Sequence, residues 1–147
     1  VVELLSEVGK HGEPGMSAET RQLSETTSTF EDLEVWQVAR ALRREFAELA
    51  KRLPSNERYR LVDQILRASR SVTANIAEGY GRFHYQENIQ FCRQARGSLF
   101  ELVDHLTVLL DEAVLDREEF EALRAEIFRV VRMLNGYVKY LQRRKAG

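Results

Sequence analysis

From residue 30 onward, apolar residues recur three and four apart in four successive blocks, and this spacing leaves few folds open to the chain. Such alternation paints one face of a helix, and that face needs other helices to bury it. The first block, Glu31 to Leu53, carries Val35, Ala39, Leu42, Phe46, Leu49 and Leu53, with Leu33 and Trp36 beside the stripe, and Pro54 ends it. The second starts at Ser55, an N-cap with Arg58 at the third helical position, and runs through Val62, Ile65, Ser69, Val72, Ile76 and Gly79. Gly79 and Gly81 are expected to close it through the left-handed conformation. The third, Tyr85 to Ala113, aligns Ile89, Cys92, Ala95, Leu99, Leu102, Leu106, Leu109 and Ala113, widened by Phe91, Val103 and Leu110. The fourth opens on Asp116 as N-cap with Glu118 and Glu119 behind it, and closes on Lys139, Arg143, Arg144 and Lys145, charges that suit the helix dipole. Its stripe is Phe120, Leu123, Ile127, Val130, Leu134, Tyr137 or Val138, and Leu141. Strand signals are absent, and short connections favour an all-α, antiparallel up-down-up-down four-helix bundle.

Composition narrows the function classes. The 147 residues suit one domain with a core of its own. Cys92 is the sole cysteine, which excludes an intrachain disulfide or a multi-cysteine zinc site and reads as a buried thiol in a cytoplasmic protein. No apolar run approaches the roughly 18 residues that span a bilayer, and the first residues lack the basic-then-apolar order of a signal peptide. Residues 1 to 29, with Gly9, Gly12, Pro14, Gly15 and a Ser/Thr-rich end, read as a flexible tail, and residues 1 to 15, ahead of Met16, as an upstream extension. The folded unit is then residues 30 to 147. The net charge of -1 hides an acidic tail and a slightly basic remainder in which arginine far outnumbers lysine. Arginine suits bidentate phosphate contacts, and a GC-rich gene produces the same bias.

One run departs from good helix formers: Ser69-Arg70-Ser71-Val72-Thr73-Ala74-Asn75-Ile76-Ala77-Glu78-Gly79-Tyr80-Gly81-Arg82. Ser, Thr and Asn compete for backbone hydrogen bonds, so their concentration here points to packing or polar contacts. Asn75 to Arg82, together with Phe30-Glu31-Asp32-Leu33-Glu34-Val35-Trp36-Gln37, Gly97-Ser98-Leu99-Phe100-Glu101-Leu102 and Leu134-Asn135-Gly136, resembles a known family in the same order. It is the four-helix-bundle family encoded in intervening sequences of bacterial large-subunit ribosomal RNA genes. The accessory proteins of diversity-generating retroelements look like relatives. The resemblance implies a homopentameric barrel of bundles without known catalysis and, through the retroelement relatives, binding to a reverse transcriptase and RNA by a basic surface.

Among polar residues, Asn75 and Glu78 are expected to be buried, bonding backbone groups and, with Gly79, forming the joint between the second and third helices. Gly97 and Gly136 inside helices cost about 1 kcal/mol each relative to Ala, which close helix approach would offset. For nucleic acid, Arg60, Arg67 and Arg70 share one side of the second helix, and Arg82, Arg93 and Arg96 follow across the turn. If the antiparallel helices bring them together they form a phosphate-contacting patch. The plainer reading is a solvated face with weak ion pairs to Asp63 and nearby glutamates. Tyr80, Phe83 and Tyr85 either stack on unpaired bases or pack around the turn. Phe100, Val108, Phe128, Val131 and Tyr140 lie off the main stripes, as a partner surface or a widened core.

Enzyme chemistry finds no support. Neither His84 nor His105 has a glutamate three residues before it, as a di-iron bundle needs, nor an arginine five to seven before it, as one class of helical ribonuclease needs. Glu101 and His105, one turn apart, read as a surface contact, and His11 falls in the tail. No catalytic residue, metal ligand or cofactor is assigned. The expectation is a non-enzymatic oligomeric adaptor for structured RNA or a nucleoprotein, against the alternative of a protein-interaction scaffold without nucleic acid.

Overall fold

The computed structural model describes residues 28–53 and 59–146, and all regular structure among them is helical. Thr29 opens it: its hydroxyl accepts from the Glu31 amide, while its own amide donates to Asp32 Oδ2, closing a capping box around a 3-10 turn, Phe30–Asp32. The expected first helix is therefore split. Leu33, extended and fully buried, separates the turn from α1, Glu34–Arg52. Phe30 returns edge-on to Trp36, with ring centroids 5.1 Å apart, and holds the turn against the helix. Leu53 ends α1 in the extended conformation imposed on a residue before proline. The expected cap at Ser55 and Arg58 lies outside the described residues, and α2 follows as Tyr59–Tyr80.

Gly79 and Gly81 do not close α2 by a left-handed turn, because neither has φ in the left-handed range and the helix continues through Tyr80. Gly79 serves packing instead: a Cβ there would sit 2.7 Å from Asn88 Oδ1 and 2.9 Å from Phe91 Cβ. The left-handed residue is at the other end of α3, Tyr85–Asp111, where Ala113 has φ 58°. Val114 N donates to Leu109 O and Ala113 N to Leu110 O, a Schellman closure, so Ala113 leaves the helix it was expected to extend. Asp116 caps α4, Arg117–Ala146, by accepting from the Glu119 amide at 2.8 Å.

Cross-helix contacts fix the direction of each helix. Arg67 meets Glu101, Ser71 meets Ser98 and Gly79 meets Asn88, so α2 and α3 run antiparallel. Asn88 to Tyr137 and Phe100 to Phe128 set the same relation for α3 and α4, and Arg52 to Glu119 closes α1 on α4. The predicted stripes meet at the centre, where Phe46, Ile65, Ile76, Leu99, Leu106, Ile127 and Leu134 are wholly shielded from solvent. Burying each such side chain stabilises the fold by about 1.5–3 kcal/mol, against at most about 1 for an exposed ion pair, so this seam and not the charged shell holds the bundle together. Tyr137 rather than Val138 takes the inner position on α4, and Val62 is only half-buried.

Gly97 and Gly136 contradict the expected close approach. An added Cβ at either would have no neighbour within 4 Å among the described residues. Off the main stripes, Val131 joins the core, Val108, Phe128 and Tyr140 are half-buried, and Phe100 stays 44% exposed.

Candidate nucleic-acid interface

The arginines expected to form one patch are distributed over separate faces. On α2, Arg67 turns toward α3, with its guanidinium 3.9 Å from Glu101 rather than pairing with Asp63. Arg70 is exposed, one turn before Thr73, whose hydroxyl accepts from Arg43 Nη1 of α1 at 2.8 Å. The side chain of Arg60 lies outside the described residues. Arg82 is bound locally, 3.0 Å from Glu78 and over the ring of Phe91 at 4.9 Å. Arg93 and Arg96 leave the α2 side altogether. Arg96 caps the ring of Phe100, which packs edge-on against Phe128 of α4, so it faces α4. Side chains that project from different sides of α2 and α3 cannot converge, however close they stand in sequence.

What the structure assembles instead is a ladder across the outer α3–α4 groove. Arg96 lies 5.6 Å from the centroid of Phe100, Phe100 and Phe128 meet at 5.8 Å and 88°, and Arg124 lies 4.6 Å from Phe128. Toward the C-terminus of α4, Arg93 and Lys145 line a recess of about 380 Å³ with Gln86 and Gln142, and Lys145 Nζ donates to Gln86 Oε1. None of Arg93, Arg96, Arg124 and Lys145 is ion-paired among the described residues. Arg124 and Lys145 were absent from the candidate residues, yet for Arg124 a signal was present. Six arginine–aromatic pairs stand four apart in the four helices, and four of them, Trp36/Arg40, Arg96/Phe100, Arg124/Phe128 and Tyr140/Arg144, are in cation–π contact.

The expected polar joint is corrected in its members. Glu78 is exposed and Asn75 only half-buried. Asn75 Nδ2 donates to Ser71 O at 2.9 Å and to Ser71 Oγ at 3.0 Å, and Ser98 Oγ donates to the same Ser71 Oγ, so Asn75 reaches α3 through a serine pair. Among the described residues the buried polar groups are Ser69, Thr73, Asn88 and His105. Ser69 and Thr73 return their hydroxyls to the α2 carbonyls of Leu66 and Arg70. Asn88 Nδ2 donates to the Tyr137 hydroxyl at 3.1 Å, joining α3 to α4 beside Gly79. His105 is buried rather than a surface residue, with Nε2 3.2 Å from Glu101 Oε1. Desolvation pushes the Cys92 thiol up to about 12, which keeps it protonated and inert, and the same cause raises Tyr137, partly countered by Asn88. Among the described residues no group of three or more His, Cys, Asp or Glu side chains suits a metal, and no helix is long and apolar enough to cross a membrane.

The sequence profile of the 23S rRNA-intervening sequence protein family matches residues 31–136, from the capped turn to Gly136 of α4. The chain belongs to this family. A solved structure of a protein of unknown function from the S23 ribosomal protein family of Bacteroides thetaiotaomicron is similar in fold, with a TM-score of 0.66 at 23% identity. The match covers 71% of this chain and 98% of that one. Comparison with curated proteins gives no match. The groove ladder is built inside the 23S rRNA-intervening sequence unit, whereas Lys145 and Arg144 stand on the last turn of α4 beyond the matched residues.

Proposed function

We propose that this member of the family is a non-enzymatic, homopentameric adaptor that binds structured RNA through the outer α3–α4 groove. The observation carrying this reading is the set of four cations, Arg93, Arg96, Arg124 and Lys145, displayed along one groove without a carboxylate partner. Unpaired guanidinium groups keep their full donor capacity for phosphate, and those over aromatic rings are held in place, so less rotamer freedom is lost on binding. The family's link to ribosomal RNA genes and the implied reverse-transcriptase partner of its retroelement relatives agree with an RNA ligand. Five copies of a modest patch in one assembly would raise avidity without new contacts.

The location is tested by measuring binding of an RNA hairpin to paired variants. Arg93→Ala with Arg96→Ala should weaken binding at least tenfold, while Arg67→Ala with Arg70→Ala should change it less than threefold. The reverse order would move the surface back to α2. A solution mass near five times 17.1 kDa is expected for the assembly, and a monomer would remove the avidity.

A protein-interaction scaffold is the second reading, favoured by the exposure of Phe100 against Phe128. Under it, a defined assembly would form and no RNA affinity would be measured at low salt.

A further inference from the structure

The connection between α2 and α3 is only four residues long, and it leaves Phe83 95% exposed, the most exposed large apolar side chain among the described residues. An aromatic ring left in water on a tight turn does not serve the core, and its packing around the turn, one of the two readings of the sequence, is not what the structure shows. Among the described residues its one ring contact is edge-to-face with His84, at 5.1 Å and 89°. Behind it lies a recess of about 340 Å³, within the usual range for a small-molecule site, walled by Tyr80, Tyr85, Tyr137 and Tyr140. Tyr137 and Tyr140 are nearly parallel, with an interplanar angle of 18°. The floor is polar and buried. After Asn88 Nδ2 donates to the Tyr137 hydroxyl, the second amide hydrogen and the hydroxyl hydrogen remain as donors with no acceptor among the described residues.

Flat aromatic walls over a donor floor match one ligand class closely: a planar heterocycle with acceptors on its edge. Cations supply the remaining condition. Arg144 stands over Tyr140 and beside Tyr85, and on the next residues Lys145 bonds Gln86 and joins Arg93 in the α3–α4 groove. Arg82 lines the recess itself, and the basic groove opens on the next side of α4, since consecutive helical residues project about 100° apart. We infer that the recess takes one unpaired nucleobase of an RNA strand whose phosphates follow the α3–α4 groove. The inference rests on the RNA-binding reading above and adds to it a site for a base. Stacking would make it tolerant of base identity, with the floor donors favouring bases that present edge acceptors.

The test uses the full chain, a 12-nucleotide unstructured RNA, the same strand with abasic positions, and a duplex of equal length, at one moderate salt concentration. Wild type should prefer the intact strand over the abasic one. Phe83→Ala should weaken binding of the intact strand by roughly 5- to 150-fold, the range of one base–aromatic stack, and leave the duplex unchanged. Phe83→Trp should restore the preference. Phe83 is too exposed for either change to threaten folding. Equal wild-type affinity for intact and abasic strands would overturn the base site while leaving the groove reading standing, as would a Phe83→Ala variant that behaves like wild type. Phe83→Ala acting while Arg93→Ala with Arg96→Ala does not would uphold the recess and refute the groove.

Discussion

At the scale of single residues, two backbone positions carry demands their identities only half reveal. Gly79 is required by contact: Asn88 Oδ1 and Phe91 Cβ occupy the space a methyl would need, and Asn88 is held there by Tyr137. Gly79→Ala should destabilise the fold by about 1–3 kcal/mol, as overpacking does, measured as a fall in the urea midpoint without a change of slope. Ala113 is the converse case, a residue with a Cβ at φ 58° where glycine would be unstrained. Ala113→Gly should stabilise by about 1 kcal/mol, read as a rise in Tm. Gly79 was expected at the joint between α2 and α3 and stands there, but the close contact that demands a glycine was not legible beforehand, nor was the role of Ala113. A glycine near a helix end looks like a terminator whether or not it is one, and the contact that explains Gly79 comes from Asn88, inside a polar stretch, Gln86-Glu87-Asn88, that reads as surface. The buried His105 escaped for the same reason: a histidine four residues from a glutamate has the same spacing whether it faces water or the interior.

At the scale of elements, the helices and their inner faces were legible almost residue by residue, because burial imposes the 3.6-residue period on the sequence directly. Asp116 could be read as the cap of α4 because local hydrogen bonding is a short-range property. The rotation of one helix against the next is not short-range. Arg67 and Arg96 differ in the neighbour they face, and only the packing of three helices fixes that difference, so the expected arginine patch dissolved into a groove ladder. The open space around Gly97 and Gly136 gives an element-level prediction. Gly97→Ala and Gly136→Ala should each raise stability by about 1 kcal/mol, the helix-propensity difference, in thermal unfolding. A loss of stability would mean that another chain occupies that space.

For the molecule as a whole, burial of acidic protons shapes stability against pH. The Cys92 thiol is raised from 9.0 to about 12, so above pH 9 the unfolded chain loses a proton that the folded chain keeps. Stability should therefore fall with rising pH, by about 1.4 kcal/mol per pH unit from this group between pH 9 and 12. Tyr137, also raised by burial, adds a second fall of the same sign above pH 10. Cys92→Ala should remove the part that begins near pH 9, measured by urea unfolding from pH 7 to 10.5. The charge map matters as much for function. A chain of formal net charge -1 offers no overall attraction to RNA, so the proposed binding depends on where the cations stand, along the α3–α4 groove, and not on how many there are. The salt dependence of hairpin RNA affinity, compared between wild type and the Arg93→Ala, Arg96→Ala, Arg124→Ala variant, tests this claim most directly. At about 0.7–0.9 of slope per lost phosphate contact, the plot of log affinity against log salt should flatten by roughly 2 in the variant. An unchanged slope, or no RNA binding by wild type at low salt, would contradict it.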